Sequence, residues 1–130
     1  PSQIQGDVYT GTDTVEYLAK GVPDRVFFAT NESVLTTASR DTLRKQAAWM
    51  RTNDSLSFTI EGHADERGTR EYNLALGERR ANAAKDYLMT YGISGNRLSV
   101  ISYGKERPVN SGSNPLAWSQ NRRSVTVKAN

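Results

Sequence analysis

Two opposite charges, Asp65 and Arg80, are the residues of this chain best placed to do chemistry. A carboxylate only accepts hydrogen bonds, whereas a guanidinium donates through a rigid planar fork. Asp65 follows an apolar alternating run, where the chain leaves a strand, and ligands in sheet-plus-helix proteins often bind at such strand ends. Arg80 comes two turns into the next helical pattern. The pair could leave room between them, or could simply bridge each other or face water at little energetic gain. The residues alone leave these arrangements open. His63, Asp65 and Glu66 form a second compact group, H-x-D-E. A metal site needs three or four ligands, and His63 is the only histidine. No nucleophile elbow accompanies it. No catalytic role, metal or cofactor is expected, and His63 reads as a hydrogen-bonded strand-end residue that shapes the loop.

The elements around these residues follow from periodicity. Leu56, Phe58 and Ile60 alternate with Ser57, Thr59 and Glu61, the pattern of a half-buried strand. Gly62 and Gly68 bracket a polar loop. From Asn73 the period changes: Leu74, Gly77, Ala81, Ala84, Leu88 and Tyr91 line one helical face. Arg79 lies opposite that face, in water, while Arg80 lies only about 70° from its centre. Leu76 is one turn before Arg80 and forms an apolar wall beside it.

These same residues resemble the OmpA-like peptidoglycan-binding domain family. Its pattern is G-H-T-D-x-x-G followed by N-x-x-L-(G/S)-x-x-R-A. Gly62, His63, Asp65, Gly68, Asn73, Leu76, Gly77, Arg80 and Ala81 fall in register, and Ala64 departs from the usual Thr. Glu66-Arg67-Gly68-Thr69 with Glu71-Tyr72-Asn73, and Ser102-Tyr103-Gly104-Lys105-Glu106 with Pro108, are similar to its lipoprotein branch. The resemblance covers roughly residues 26–127. It implies that Asp65 and Arg80 hold the free end of diaminopimelate in the peptidoglycan stem peptide. That end carries an ammonium, which Asp65 can accept from, and a carboxylate, which Arg80 can grip with two parallel donors. It implies further contacts from the Thr30-Asn31 loop, where Ala29 replaces a usual Asp; a plain turn is the alternative. Arg122, in Asn121-Arg122-Arg123-Ser124-Val125, is placed either to approach the stem peptide or to pair with loop carboxylates. Alanine at Asp65 or Arg80 is expected to leave the fold intact and abolish wall binding. A second partner is implied, the periplasmic propeller protein TolB, on an overlapping surface. So are a lipid-anchored place on the periplasmic face of the outer membrane and a role in the Tol-Pal system. The alternative setting is the wall-binding end of an outer-membrane barrel or a stator protein.

The remaining composition bounds the reading. The chain has 130 residues, 17 basic and 14 acidic side chains and no cysteine. The anchor that the resemblance implies is therefore expected on a cysteine upstream of this stretch. No run nears 18 apolar residues, so no transmembrane helix is expected, and no signal peptide is visible. The pI is about 9.4, but the charges alternate in sign with no basic run of five. A nucleic-acid partner is not expected.

Residues 1–24 read as an extension and 25–130 as one domain. Residues 1–12 are polar and glycine-punctuated, and are expected to be mobile. Asp13-Thr14-Val15-Glu16 resembles a capping box, which suggests a short helix over 13–20, with an extended segment as the alternative. A strand over 25–29 and a helix from Thr36 or Thr37 to Arg51 follow, the helix turning Leu43, Ala47 and Met50 inward. Leu98–Tyr103 reads as a strand, residues 104–116 as a long loop and Ser124–Ala129 as the last strand, with Val125 and Val127 toward the core. The class is α+β, a β-α-β-α-β-β sandwich. The resemblance adds that the helices pack on one face of a mixed sheet.

Overall fold

The computed structural model describes residues 3–129. Its order is β1 (Ile4–Gln5), β2 (Val8–Tyr9), β3 (Tyr17–Ala19), β4 (Val22–Pro23), β5 (Arg25–Phe27), α1 (Thr37–Thr52), β6 (Phe58–His63), α2 (Arg70–Thr90), a 3-10 turn (Gly95–Arg97), β7 (Leu98–Gly104), α3 (Pro115–Asn121) and β8 (Arg123–Lys128). The central sheet has the order β5-β8-β6-β7. β8 runs antiparallel to both neighbours, and β6 and β7 are parallel. The last strand thus inserts between the first and second strands of the sheet, and β6 separates it from β7. The mixed α+β class stands.

Both long helices begin where their caps dictate. Thr36 accepts from the Ser39 N–H at 3.1 Å, and Thr69 from the Tyr72 N–H at 3.1 Å. One face of the sheet packs on α1 and α2 through Val26, Phe58, Ile60 and Leu98 against Leu43, Met50, Ala84 and Leu88. The closest approach is between β6 and α2. A Cβ on Gly62 would overlap the Gly77 carbonyl, and one on Gly77 would run into the Ser102 hydroxyl. Two glycines facing each other let this helix sit against the strand's backbone.

Three expectations need correction. Residues 13–20 form no helix. Tyr17–Ala19 pairs with Val22–Pro23 around Gly21, whose φ is +76°. A single short helix is unstable alone. The extended form instead lets Asp24 bond Glu16 from both its backbone N–H and its carboxylate. Residues 4–9 form a hairpin, with Tyr9 buried edge-on against Phe27 at 5.0 Å; Pro1 and Ser2 lie outside the described residues. Finally, the helix-facing side of β8 carries hydroxyls. Ser124 donates to the Arg80 carbonyl at 2.8 Å and Thr126 to Gln46 at 2.9 Å. Val125 is buried as expected, though on the opposite face, and Val127 is only half-buried. A one-residue shift in alternation moves every side chain across the sheet.

Helix α3 also lies in a stretch read as loop and approach. Asn114 caps it by accepting from the Ala117 N–H at 2.9 Å, and Pro115 occupies its first turn. That Asn-Pro pair was the available signal.

Candidate functional site

A cleft of about 230 Å³ opens beside the carboxyl end of β6 and the first turns of α2. Thr30, Asn31, Asp65, Leu76 and Arg80 all line it. Arg67, Gly68, Tyr72 and Asn73 complete the wall.

Arg80 is fully buried. Its Nε donates to the Glu32 carbonyl at 2.8 Å, Nη1 to His63 at 2.9 Å and Nη2 to Ala29 at 3.0 Å. It therefore ties the loop after β5 to the end of β6. A guanidinium has five N–H groups; with three given to carbonyls, two have no partner among the described residues. Burial, and then the charge of Arg122, push Arg80 down to about 10, so it stays charged at neutral pH. The expectation that Arg80→Ala leaves the fold intact is corrected by this geometry: three carbonyls, that of His63 buried, would lose their donor.

Asp65 is 6% exposed. Burial raises its pKa, but the hydrogen bonds from Arg67 and Arg122 outweigh that and hold the carboxyl below its usual range. Oδ1 accepts from the Arg67 N–H at 3.0 Å and its Nε at 3.1 Å; Oδ2 accepts from Arg67 Nη2 at 2.8 Å and Arg122 Nη1 at 3.1 Å. Stability linked to a depressed carboxyl is present in full above about pH 4 and is lost as pH falls through the lower folded value. Urea titrations between about pH 7 and pH 2 are expected to show this acid loss in the native chain and a smaller one in Asp65→Asn. Equal acid slopes would refute the linkage.

Arg67 was not among the sequence candidates. Its side chain is 41% exposed, and its guanidinium lies 4.1 Å from the Trp118 ring centre and 3.2 Å from the Thr30 hydroxyl. The signal was local: a side chain that bonds the backbone N–H two residues on makes an Asx turn. Trp118 and Lys105 clamp the same loop, donating to Glu66 Oε2 at 2.7 Å and to the Gly68 carbonyl at 2.7 Å.

Arg122 does not line the cleft; of the two roles open to it, the structure shows the pairing with loop carboxylates, Asp65 and Asp7. It is 2% exposed and bonds the Phe28 carbonyl at 2.9 Å, the Asp7 carbonyl at 2.6 Å and Asp65 from behind. Asp7 in turn accepts from the Thr30 N–H at 2.7 Å, so the amino-terminal hairpin braces the loop that carries Thr30 and Asn31. Asn31 is exposed and adopts φ +60°.

His63 is buried and stacked on Tyr103, with Nε2 3.1 Å from Glu61. Burial first, and then Arg123, Arg25 and Arg107, lower it to about 3, so it is neutral at physiological pH. Among the described residues no group of three His, Cys, Asp or Glu side chains is arranged to hold a metal ion.

Comparison with known proteins agrees with the fold. The OmpA family profile matches residues 27–122. A peptidoglycan-associated lipoprotein of Rhizobium meliloti is 55% identical over 106 residues, which is 82% of this chain and 60% of that relative. The chain thus spans less than two-thirds of the curated relative it matches. The crystal structure of the peptidoglycan-associated lipoprotein from Burkholderia pseudomallei superposes with a TM-score of 0.79 at 34% identity, covering 81% of this chain and 89% of that one. The carboxy-terminal domain of Helicobacter pylori MotB shares the fold, with a TM-score of 0.76 at 18% identity over 82% of this chain and 84% of its own. With its core motifs, its sheet order and its relatives in agreement, this chain belongs to the OmpA family.

Proposed function

We propose that this chain binds peptidoglycan non-covalently, closing the cleft over the free end of a diaminopimelate stem residue. The observation that carries the reading is that a buried acid and a buried guanidinium line one small cleft beside an exposed loop. The two N–H groups left on Arg80 serve the ligand carboxylate, and Asp65 serves its ammonium. Both Asp65 oxygens are already engaged, so the ammonium must displace a bond from Arg67, whose exposed side chain can swing into water. Leu76 and Tyr72 cover the aliphatic stem, and Thr30 and Asn31 supply polar contacts.

On this reading the parent is a peptidoglycan-associated lipoprotein of the Tol-Pal system. It would tether the outer membrane to the wall from the periplasmic face. TolB would compete for the cleft, since its surface is expected to overlap it. The relatives named above support a lipoprotein over a barrel or stator protein, because the stator likeness is one of fold alone.

The test is calorimetry with a diaminopimelate-containing tripeptide beside its lysine counterpart. The lysine peptide lacks the second carboxylate and leaves two N–H groups of Arg80 without a partner. Its affinity is expected to fall by about 10–100-fold, less than the roughly 10⁴-fold of a closed site. Equal affinities for the two peptides would overturn the assignment.

A further inference from the structure

A second cleft, of about 400 Å³, shares no lining residue with the first. Arg25, Val26 and Phe27 all line it, although successive side chains of a strand point to opposite faces. It must therefore run along the backbone at the open edge of β5, the outermost strand of the sheet.

The hydrogen-bond register shows what that edge presents. The Asp24 carbonyl accepts from the Thr126 N–H at 2.8 Å, and the Phe28 N–H donates to the Arg122 carbonyl at 3.0 Å. The even-numbered residues of this stretch thus face β8, and Arg25 and Phe27 turn their main-chain groups the other way, into the slot. Helix α1 caps the two ends. Gln46 donates to the Pro23 carbonyl at 2.9 Å, and Ser39 to the Phe27 carbonyl at 3.4 Å. Between them, the Arg25 N–H, the Arg25 carbonyl and the Phe27 N–H have no partner among the described residues. Tyr9, Val15 and Tyr17 form one wall of the slot, and Thr37 and Ala38 the other.

We propose that this slot binds an extended segment of a partner polypeptide, which adds as a fifth strand beside β5. A residue opposite Arg25 would exchange both main-chain bonds with it, and flanking side chains would rest between the tyrosines and α1. A second copy of this chain is a poorer occupant, because walls on both sides admit one thin strand and not the edge of a folded sheet. The slot also has a charge preference. The first turn of α1 beside it carries no acidic side chain, so the positive end of the helix dipole favours a neutral or acidic segment over a basic one.

The test selects a random heptapeptide library displayed on phage against the whole chain, with Ala38→Trp as counter-selection. Ala38 is exposed, so the tryptophan fills the slot without entering the core. The enriched peptide is expected to bind Ala38→Trp at least about tenfold more weakly, and to lose about tenfold when its alternate amides are N-methylated, the loss of one to two hydrogen bonds. It should also slow amide exchange at Arg25 and Phe27. No enrichment over the counter-selection, full binding by the methylated peptide, unchanged exchange at these amides, or a peptide-free dimer that protects them would each overturn the proposal. An excess of the diaminopimelate tripeptide is expected to leave this peptide's binding unchanged, which separates this site from the wall-binding cleft.

Discussion

Arg80→Ala is expected to destabilise the chain by about 3–5 kcal/mol, lowering the melting temperature by roughly 10–20 °C, and to abolish wall binding at the same time. The size follows from what the side chain holds. Its guanidinium is the shared donor for the carbonyls of Ala29, Glu32 and His63. Truncation leaves the buried His63 carbonyl empty at a cost of about 1–3 kcal/mol, and the part-buried carbonyls of Ala29 and Glu32 lose their donor at a smaller cost because water can reach them. It also leaves a cavity against Phe28, whose ring centre lies 5.3 Å from the guanidinium carbon. Arg80→Lys is expected to recover part of the stability but little of the binding, because one ammonium cannot serve three carbonyls and still fork to a carboxylate. Chemical denaturation of both variants, read beside peptidoglycan co-sedimentation, checks this. An Arg80→Ala protein as stable as the native chain would show that the three bonds contribute nothing net.

The second large effect lies at the glycine pair. In an ordinary exposed helix, replacing glycine by alanine stabilises by about 1 kcal/mol. At Gly77 the sign is expected to reverse. The new methyl would meet the Ser102 hydroxyl and sit 2.9 Å from the Gly62 carbonyl oxygen. At Gly62 it would overlap the Gly77 carbonyl outright, and backbone cannot rotate away as a side chain can. Overpacking of this kind costs about 3 kcal/mol at its upper range. Gly62→Ala is therefore expected to be the worse of the two. Because the lever arm of α2 carries Leu76 and Arg80, both variants should also weaken tripeptide binding. Thermal melts give the order directly, and a native-like melt for Gly62→Ala would mean that helix and strand are not in contact.

Much of the site was visible in one dimension because its two poles sit on periodic elements. The helical period placed Arg80 at the border of a buried stripe and Leu76 one turn before it, and both line the cleft. The alternation through Ile60 brought Asp65 to a strand exit, which is where it stands. What periodicity could not reveal is competition for a group. Arg67 and Arg122 both reach Asp65, one from two residues away and one across the fold. Arg67 was not singled out at all, and Arg122 was left between the stem peptide and the loop carboxylates, of which the fold shows the second. The Asp13–Glu16 capping signal failed for a related reason: a short helix yields to any tertiary partner, and here Asp24 supplies one.

The chain's order of residues determined by itself the strands of the central sheet and the two long helices, where those helices begin and which charges border the buried faces. Each of these depends on neighbours within a turn or two along the backbone. Tertiary structure alone decided the rest. It inserted β8 between β5 and β6, turned the hydroxyls of β8 toward the helices, braced Asp65 from behind and left one edge of β5 unpaired. These outcomes depend on pairings between residues far apart in the chain, and such pairings are chosen by the packing of whole surfaces, which no local period encodes.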